Sequence, residues 1–270
     1  MPLFDILDEV AKRQVEKTDV GDNRIMGVMV GQVIKNYDEK KQGFVLVSIT
    51  TRDYAENRQV WARMALPYGG KGWGDYFIPE VGDQVLVVFE QGNIERAYVI
   101  GSVPLESSAF MKGAFEENNM YKRIKSRNGN VITIEDNKEG DGAKDKITVT
   151  TATEAHTFVM DNDKKEILLS DKDGNNKILM KTESGQMEII AAKKLTIKVG
   201  DNITMIFNGG NGTVSLEASK LKTDITGSTE LKSTGNTKLE GGNVTVNGNS
   251  MLKLSSSGAV TVSGMPIKLG

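Results

Sequence analysis

The chain has 270 residues, a net charge of −2 and no cysteine. Its length allows two domains, and the absence of cysteine excludes a disulfide framework and thiolate metal sites. No apolar run approaches the ~20 residues of a membrane-spanning helix, and the acidic start of the chain does not fit a secretory signal peptide. We therefore expect a protein that is made soluble in the cytoplasm and needs another machine for any export.

The first predicted element is a short amphipathic helix over residues 3–15, within an N-terminal helical segment of residues 1–24. Pro2 stands at a first-turn position that tolerates proline. The apolar residues that share one helical face are Leu3, Leu7, Val10 and Ala11. This face could pack on its own domain or dock on a partner, and the sequence leaves the partner open.

Residues 25–103 show the alternation of strands that have one buried face. The predicted strands are residues 25–34, 44–50, 60–66, 84–90 and 97–102. Turn signals at Gly82-Asp83 and Gly92-Asn93 separate the later strands. Five short strands in about eighty residues predict a small closed barrel of the OB type.

A second β region, residues 123–270, follows a predicted linker over residues 104–122. In its first part, turns separate strands at intervals of nine to eleven residues. The strands predicted there, after one that begins at Tyr121, are residues 147–150, 157–160, 167–169 and 178–180. We interpret this part as the wider collar of a shaft.

From Ile189 onward, apolar side chains return every seven or eight positions, which fits one short strand and one turn, repeated. The repeating residues are Ile189, Ile197, Met205, Leu231, Leu239, Val246, Leu254, Val262 and Leu269. So few large aliphatic residues bury little apolar surface in a single chain. Its folding must offset about 1–2 kcal/mol of backbone entropy per residue. Three intertwined copies would bury the apolar stripes on one axis and pair the strand edges. We favour an all-β protein with a trimeric, intertwined triple-stranded β-helix over a single-chain solenoid.

A string of residues within the predicted barrel carries a family resemblance. Its members are Trp61, Arg63, Pro67, Gly72, Trp73, Gly74, Pro79, Gly82 and Asp83. The string resembles the OB domain of the VgrG and phage baseplate spike family, whose hallmarks are W-x-R-x-x-x-P, a G-W-G turn and a P-x-x-G-D-x-V step. Residues 123–130 resemble the start of the family's β-helix.

The resemblance implies the trimeric central spike of a contractile injection system, such as a phage tail, a tailocin, a type VI secretion system or an extracellular particle. The barrels would lie under a hub at the end of the tail tube. Only about twenty-four residues precede the barrel, so we expect the hub to be a separate protein. Sheath contraction would drive the spike through the target envelope, in transient contact with the membrane, and effectors could travel with it.

The last residues of the predicted shaft are apolar. The residues that close the final repeat are Met265, Pro266, Ile267 and Leu269. Three copies would leave a blunt, partly apolar face that needs covering. We expect a PAAR-like cap protein to dock there, and a self-sealed tip is the alternative.

No catalytic, cofactor or metal site is expected, so the chain is predicted not to be an enzyme. Its only histidine, His156, lies in a predicted strand, and there is no cysteine nucleophile. The acidic turns lack the spacing and the closing glutamate of an EF-hand. These turns contain Asp161, Asp163, Asp171 and Asp173.

Two functions from other classes compete with the spike. An OB barrel can bind single-stranded nucleic acid, with Trp61 and Trp73 for stacking and Arg63 for phosphates. The net negative charge argues against this, and we expect no nucleic-acid partner. A trimeric host-binding fibre would need a receptor-binding head beyond the shaft, for which we find no segment.

Overall fold

A computed structural model of the chain describes residues 24–50, 58–105 and 108–268. The predicted helix over residues 3–15 and the predicted tip residue Leu269 lie outside these residues. Contacts divide the chain into two units, of which the second contains Thr196–Met205 and the chain from Ser215 onward. In the first unit, the described residues form a β-barrel and a seven-stranded sheet.

Five strands close the barrel in the order β1-β2-β3-β7-β6, and two short strands form a hairpin beside it. The strands are β1 (Met29–Lys35), β2 (Phe44–Ile49), β3 (Arg58–Met64), β4 (Gly69–Gly70), β5 (Trp73–Gly74), β6 (Gln84–Phe89) and β7 (Ala97–Ser102). Strands β3 and β7 pair in parallel, whereas the other barrel neighbours are antiparallel. The predicted closed five-stranded barrel is confirmed.

Alternate residues of the barrel strands point inward and form one core, because side chains in a strand alternate between two faces. The buried residues are Val33, Val45, Val47, Ile49, Val60, Ala62, Val85, Val87, Phe89, Ile94, Ala97 and Val99. Full burial of one such aliphatic side chain contributes about 1.5–3 kcal/mol. The barrel therefore has a hydrophobic core of its own.

A short helix, α1 (Ala109–Ala114), lies inside the stretch that the sequence interpretation treated as a linker. The helix has only six residues, and the side chain of Ser108 makes no capping hydrogen bond. Such a short element lacks the repeated apolar spacing by which helices are recognised in a sequence.

The second sheet is a meander of seven antiparallel strands, each paired with its neighbour in the chain. The strands are β8 (Tyr121–Lys125), β9 (Val131–Glu135), β10 (Lys146–Thr150), β11 (His156–Asp161), β12 (Glu166–Asp171), β13 (Lys177–Lys181) and β14 (Gln186–Ile190). All the strands predicted between residues 121 and 180 are therefore present.

The strand register aligns apolar side chains in two rows on one face of this sheet, which we call the apolar face. The first row is Ile124, Ile132, Val149, Phe158, Leu169, Ile178 and Ile189. The second row is Ile134, Ile147, Met160, Ile167, Met180 and Met187. Much of this surface is open to solvent, since Leu169 is 49% and Met187 61% exposed.

The opposite face of the sheet is more polar. Cross-strand ion pairs join Lys146 Nζ to Glu135 Oε2 at 2.8 Å and Lys177 Nζ to Glu188 Oε2 at 3.5 Å. Leu179, also on this face, is the one buried hydrophobic residue among the described residues of this sheet. The two faces therefore differ in polarity, although the buried Leu179 lies on the more polar one.

Beyond the meander, a three-stranded sheet is followed by a long segment without strands. The strands are β15 (Lys194–Val199), β16 (Ile203–Asn208) and β17 (Thr213–Ala218). Residues 219–268 are exposed, and none of them is in a strand. The strands that the repeat predicts in this segment are therefore not formed within a single copy. A strand needs a second backbone for its hydrogen bonds, which one copy does not supply to them; the trimeric β-helix stays a prediction.

Candidate functional site

The family motif ends in a turn, residues 79–83, that fastens the start of β6 to β1. The N–H of Gly82 donates to the carbonyl of Val33 at 2.8 Å, and the N–H of Val33 donates to the carbonyl of Asp83 at 2.9 Å. The Asp83 carboxylate accepts the N–H of Glu80 at 2.9 Å. Gly82 has a φ of 97°, a left-handed conformation that favours glycine. Gly82 and Asp83 are therefore structural residues of the barrel.

Two further contacts tie this turn to its surroundings. Buried Pro79 accepts a hydrogen bond from the Asn36 side chain at 3.1 Å through its carbonyl. Glu80 forms an ion pair at 3.1 Å with Arg127, which lies in the turn between β8 and β9. The Arg127 side chain is 72% exposed, so this pair contributes little to stability, but it connects the barrel with the first hairpin of the meander.

The G-W-G motif forms the β4–β5 hairpin, whose two-residue loop includes Gly72. The Trp73 ring lies directly against Gly70, where an added Cβ would clash with Trp73 Cζ2. Pro67, in the connection from β3, and Gly74, in β5, are exposed. The large aromatic side chains exposed around this hairpin are Tyr68, Trp73, Tyr76 and Phe77. A monomeric protein rarely exposes such a group together.

Trp61 and Arg63 project from β3 on the side opposite to the barrel core, since Val60 and Ala62 between them point inward. The Arg63 guanidinium lies 5.2 Å from the ring centre of Phe44. The ammonium groups of Lys35 and Lys41 lie 5.8 and 5.9 Å from the Trp61 ring centre. These are cation–π distances, worth about 0.5–1 kcal/mol each at an exposed site. Lys35 and Lys41 lie outside the motif, and the sequence analysis missed them.

Tyr98 of β7 lies opposite Arg63 in the strand register. Its hydroxyl donates to Glu90 Oε2 at 3.0 Å, and Arg96 pairs with Glu90 Oε1 at 3.0 Å. The hydrogen bond to Glu90 raises the pKa of Tyr98. The same hydrogen bond, followed by that from Arg96, lowers the pKa of Glu90. The Glu90 carboxylate is therefore held in its charged form.

A cleft of about 1160 Å³ lies beside the 79–83 turn. Its walls come from the barrel, the chain after β7, the start of α1 and the β8–β9 turn. The apolar residues of its wall include Tyr76, Phe77, Leu105 and Phe110, and its cations are Lys125 and Arg127. No short sequence pattern predicts this cleft, because its walls are distant in the chain.

The predicted tip residues belong to the second unit. Met265 is fully exposed and Ile267 is 49% exposed, and neither these two nor Pro266 lies in a strand. His156 is exposed on β11, and its backbone bonds to Thr151. Within residues 24–50, 58–105 and 108–268, no group of three or more potential acidic, histidine or cysteine ligands could hold a metal ion. None of the helices in these ranges has the length and hydropathy to cross a membrane.

Residues 29–103 match a family model described as the type VI secretion system/phage-baseplate injector OB domain. These bounds coincide with the barrel, which begins at Met29 and whose last strand ends at Ser102. The barrel is similar over its whole length to this injector OB domain. The resemblance to the VgrG and phage baseplate spike family that the motif string indicates is thereby confirmed.

Similar proteins include the type VI secretion system spike proteins VgrG1c, VgrG1a and VgrG1b of Pseudomonas aeruginosa, each 31% identical to the chain over 90 residues. The matched segment is 31% of this chain. It corresponds to 12% of VgrG1c, 14% of VgrG1a and 12% of VgrG1b. The chain therefore matches only about an eighth of the length of each relative.

Proposed function

We propose that this chain is the trimeric central spike of a contractile injection system, with a structural role and no catalytic one. The injector OB domain supports the kind of machine. The apolar face of the meander is the observation that carries the proposal, because such a face needs a cover that excludes water.

Burial of the apolar face provides a driving force for assembly. Full burial of a large aliphatic side chain contributes about 1.5–3 kcal/mol, so the exposed half of each is worth about 1 kcal/mol. The two rows together then supply on the order of 10 kcal/mol per chain. This is comparable with the estimated cost of about 4–15 kcal/mol for bringing one partner into a complex.

Three meanders with their apolar faces inward form a triangular prism. Neighbouring strands lie about 4.8 Å apart, so seven strands extend about 30 Å along the prism axis. Further along the chain, the repeat residues Leu231 and Leu254 are 85% and 74% exposed. Two neighbouring copies would supply both the apolar cover and the backbone partners that residues 219–268 lack. This extends the prism into the proposed intertwined β-helix.

In the proposed particle, the injector OB domains lie next to a separate hub protein at the end of the tail tube. A PAAR-like cap docks at the other end of the shaft, on Met265, Pro266, Ile267 and Leu269. The sheath performs the work, and the spike contributes stiffness as it passes through the target membrane, with effectors as cargo. The motif residues of the barrel hold its shape and perform no chemistry.

The mass of the purified protein in solution tests this proposal. We expect three copies of the 29.4 kDa chain, resistant to protease because the backbone of a β-helix is hydrogen-bonded throughout. Light scattering behind size exclusion, over a hundredfold range of concentration, measures the mass. A monomer throughout this range would overturn the proposed function.

The cation–aromatic cluster around Trp61 is the observation that favours the alternative, a single-stranded nucleic-acid-binding barrel. Quenching of tryptophan fluorescence by an oligonucleotide of mixed sequence at low and high salt distinguishes the two functions. We expect no salt-dependent quenching, since the chain carries a net charge of −2. Quenching that falls as salt rises would favour the alternative.

A further inference from the structure

We infer that the N-terminal segment, residues 1–23, packs against an apolar patch on the outer surface of the barrel of its own chain. The patch lies on β1, β6 and β7, on the side of these strands that faces away from the core. The inference goes beyond the proposed function and does not depend on the trimer.

Strand β6 is apolar on both of its faces. The side chains that it buries in the barrel core are Val85, Val87 and Phe89. Leu86 and Val88, which alternate with them, point outward and are half-buried. A strand whose outer face meets water alternates apolar with polar residues, whereas a strand that is apolar on both faces is typical of a sheet covered on both sides. The outer face of β6 therefore calls for a cover.

The strands on either side of β6 extend its outer face into a larger apolar surface. Val30 of β1 lies opposite Leu86 and is 54% exposed. On β7, Ile100 is 47% exposed, and an added Cβ at the neighbouring Gly101 would meet no described atom within 4 Å. Val28, directly before β1, is 55% exposed. The outer patch, as we call this surface, consists of Val28, Val30, Leu86, Val88 and Ile100. Contiguous exposed apolar side chains of this kind mark a contact surface.

The N-terminal segment joins the barrel at one end of the outer patch. The N–H of Ile25 donates to the carbonyl of Gly92 at 2.9 Å, which holds the start of the described chain beside the β6–β7 connection. Gly92 follows Val88 by four residues, so at most about 14 Å of backbone separates them. From the same point the chain continues through Val28 into β1. The segment and the patch are therefore neighbours.

The sequence of the segment complements the outer patch. The apolar residues that share one face of its predicted helix are Leu3, Leu7, Val10 and Ala11. A helix over residues 3–15 is about 20 Å long, which equals the length of about 20 Å expected for the six residues of β6. Residues 16–23 can span up to about 26 Å. This connection is long enough to lay the apolar face of the helix along the patch.

The same chain is the favoured source of this cover. Through a connection of about eight residues, the helix is present at the outer patch at an effective concentration on the order of millimolar. A second copy that is free in solution would have to match this concentration. We therefore assign the helix to the barrel that it precedes.

Engineered disulfides test this contact, because the chain has no cysteine. Leu7→Cys is combined with Val30→Cys in one variant and with Ile100→Cys in another, since a disulfide needs Cβ atoms about 3.5–4.5 Å apart. On mild oxidation, we expect at least one variant to lose both free thiols while the chain keeps the mass of a single copy under denaturing, non-reducing conditions. Asp5→Cys in place of Leu7→Cys is the matched control, because position 5 lies on the opposite face of the predicted helix, and its thiols should stay free.

Two outcomes of this experiment would overturn the inference. Disulfide-linked dimers or trimers would place the segment on a second copy. Thiols that stay free in both variants would remove the helix from the patch altogether.

Limited trypsin digestion gives a second measurement that does not depend on disulfide geometry. The cleavage sites within the segment are Lys12, Arg13 and Lys17. Val30→Asp puts a charge into the outer patch and should speed cleavage at these sites at least about tenfold, because proteolysis follows the population of the undocked segment. Gln59→Asp places the same charge on the outer face of β3, which pairs with neither β1 nor β6, and should keep the wild-type rate.

Circular dichroism establishes that both aspartate variants keep the barrel, and mass spectrometry identifies the bonds that are cut. Equal cleavage rates within the segment for the wild type and Val30→Asp would contradict the inference. The outer patch would then be open to another protein.

Discussion

Replacing Leu169 with aspartate puts a charge at the centre of the apolar face. Leu169 lies in the first row, between Phe158 and Ile178. Ser170, the next residue of β12, points to the opposite face between Thr157 and Lys177. Ser170→Asp is therefore a matched control that places the same charge on the same strand, away from the proposed interface.

The expected effect of Leu169→Asp is large. The leucine is 49% exposed in one chain, so assembly gains about 1 kcal/mol from each copy by burying the rest of it. The substitution removes this gain and adds several kcal/mol for each carboxylate taken from water into an apolar interior. The combined loss for a trimer is on the order of 10 kcal/mol. Since about 1.4 kcal/mol corresponds to a factor of ten in an equilibrium constant, the trimer should dissociate completely.

Light scattering after size exclusion measures the outcome, and circular dichroism establishes that both variants keep their strands. We expect a monomer for Leu169→Asp and a trimer for Ser170→Asp, where Lys177 offers the new carboxylate a favourable neighbour. Two folded variants of equal mass would refute the argument that the apolar face drives assembly.

Three further predictions concern the barrel and the tip. Asp83→Ala removes the acceptor of the Glu80 N–H, so we expect a loss of about 1–3 kcal/mol in the free energy of unfolding from urea denaturation, whereas Asp83→Asn should lose less. The folded-state pKa of Glu90 is lowered from the ordinary pKa of 4.5. The ionised Glu90 carboxylate therefore contributes to the free energy of unfolding above pH 4.5, and this contribution is lost as pH falls through the folded-state pKa. Tyr98→Phe should therefore make the free energy of unfolding fall less steeply at acid pH. An unchanged slope at acid pH would contradict the link between Glu90 ionisation and stability. Ile267→Asp should abolish binding of a coexpressed PAAR-like cap in a pull-down without changing the trimer mass; retained binding would exclude this docking face.

The barrel was largely predictable from the sequence, and its deviations have physical causes. Strand β1 begins at Met29 rather than at Ile25, because the N–H of Ile25 bonds to the carbonyl of Gly92, outside the barrel pairing. The motif predicts a G-W-G turn, and its Trp73 and Gly74 form the second strand of the β4–β5 hairpin. Strands of two residues are too short to show an alternating pattern.

The candidate surfaces were less predictable than the fold. The motif identifies Trp61 and Arg63, but only the pairing of distant strands shows that Lys35 and Phe44 lie beside them. The cleft depends in the same way on segments far apart in the chain. The alternation in each meander strand predicted one apolar face per strand, but the alignment of these faces into rows depends on the register.

All six pairings of the meander join strands that are consecutive in the chain. Each hairpin therefore closes only a short loop, whose entropy cost is small, and local contacts of this kind favour fast folding. The sheet can form strand by strand during synthesis, before a second copy is present. Residues 219–268 contain no such pairing. In the proposed trimer we therefore expect the barrel and meander to fold first, and the distal shaft to form only when three chains have met.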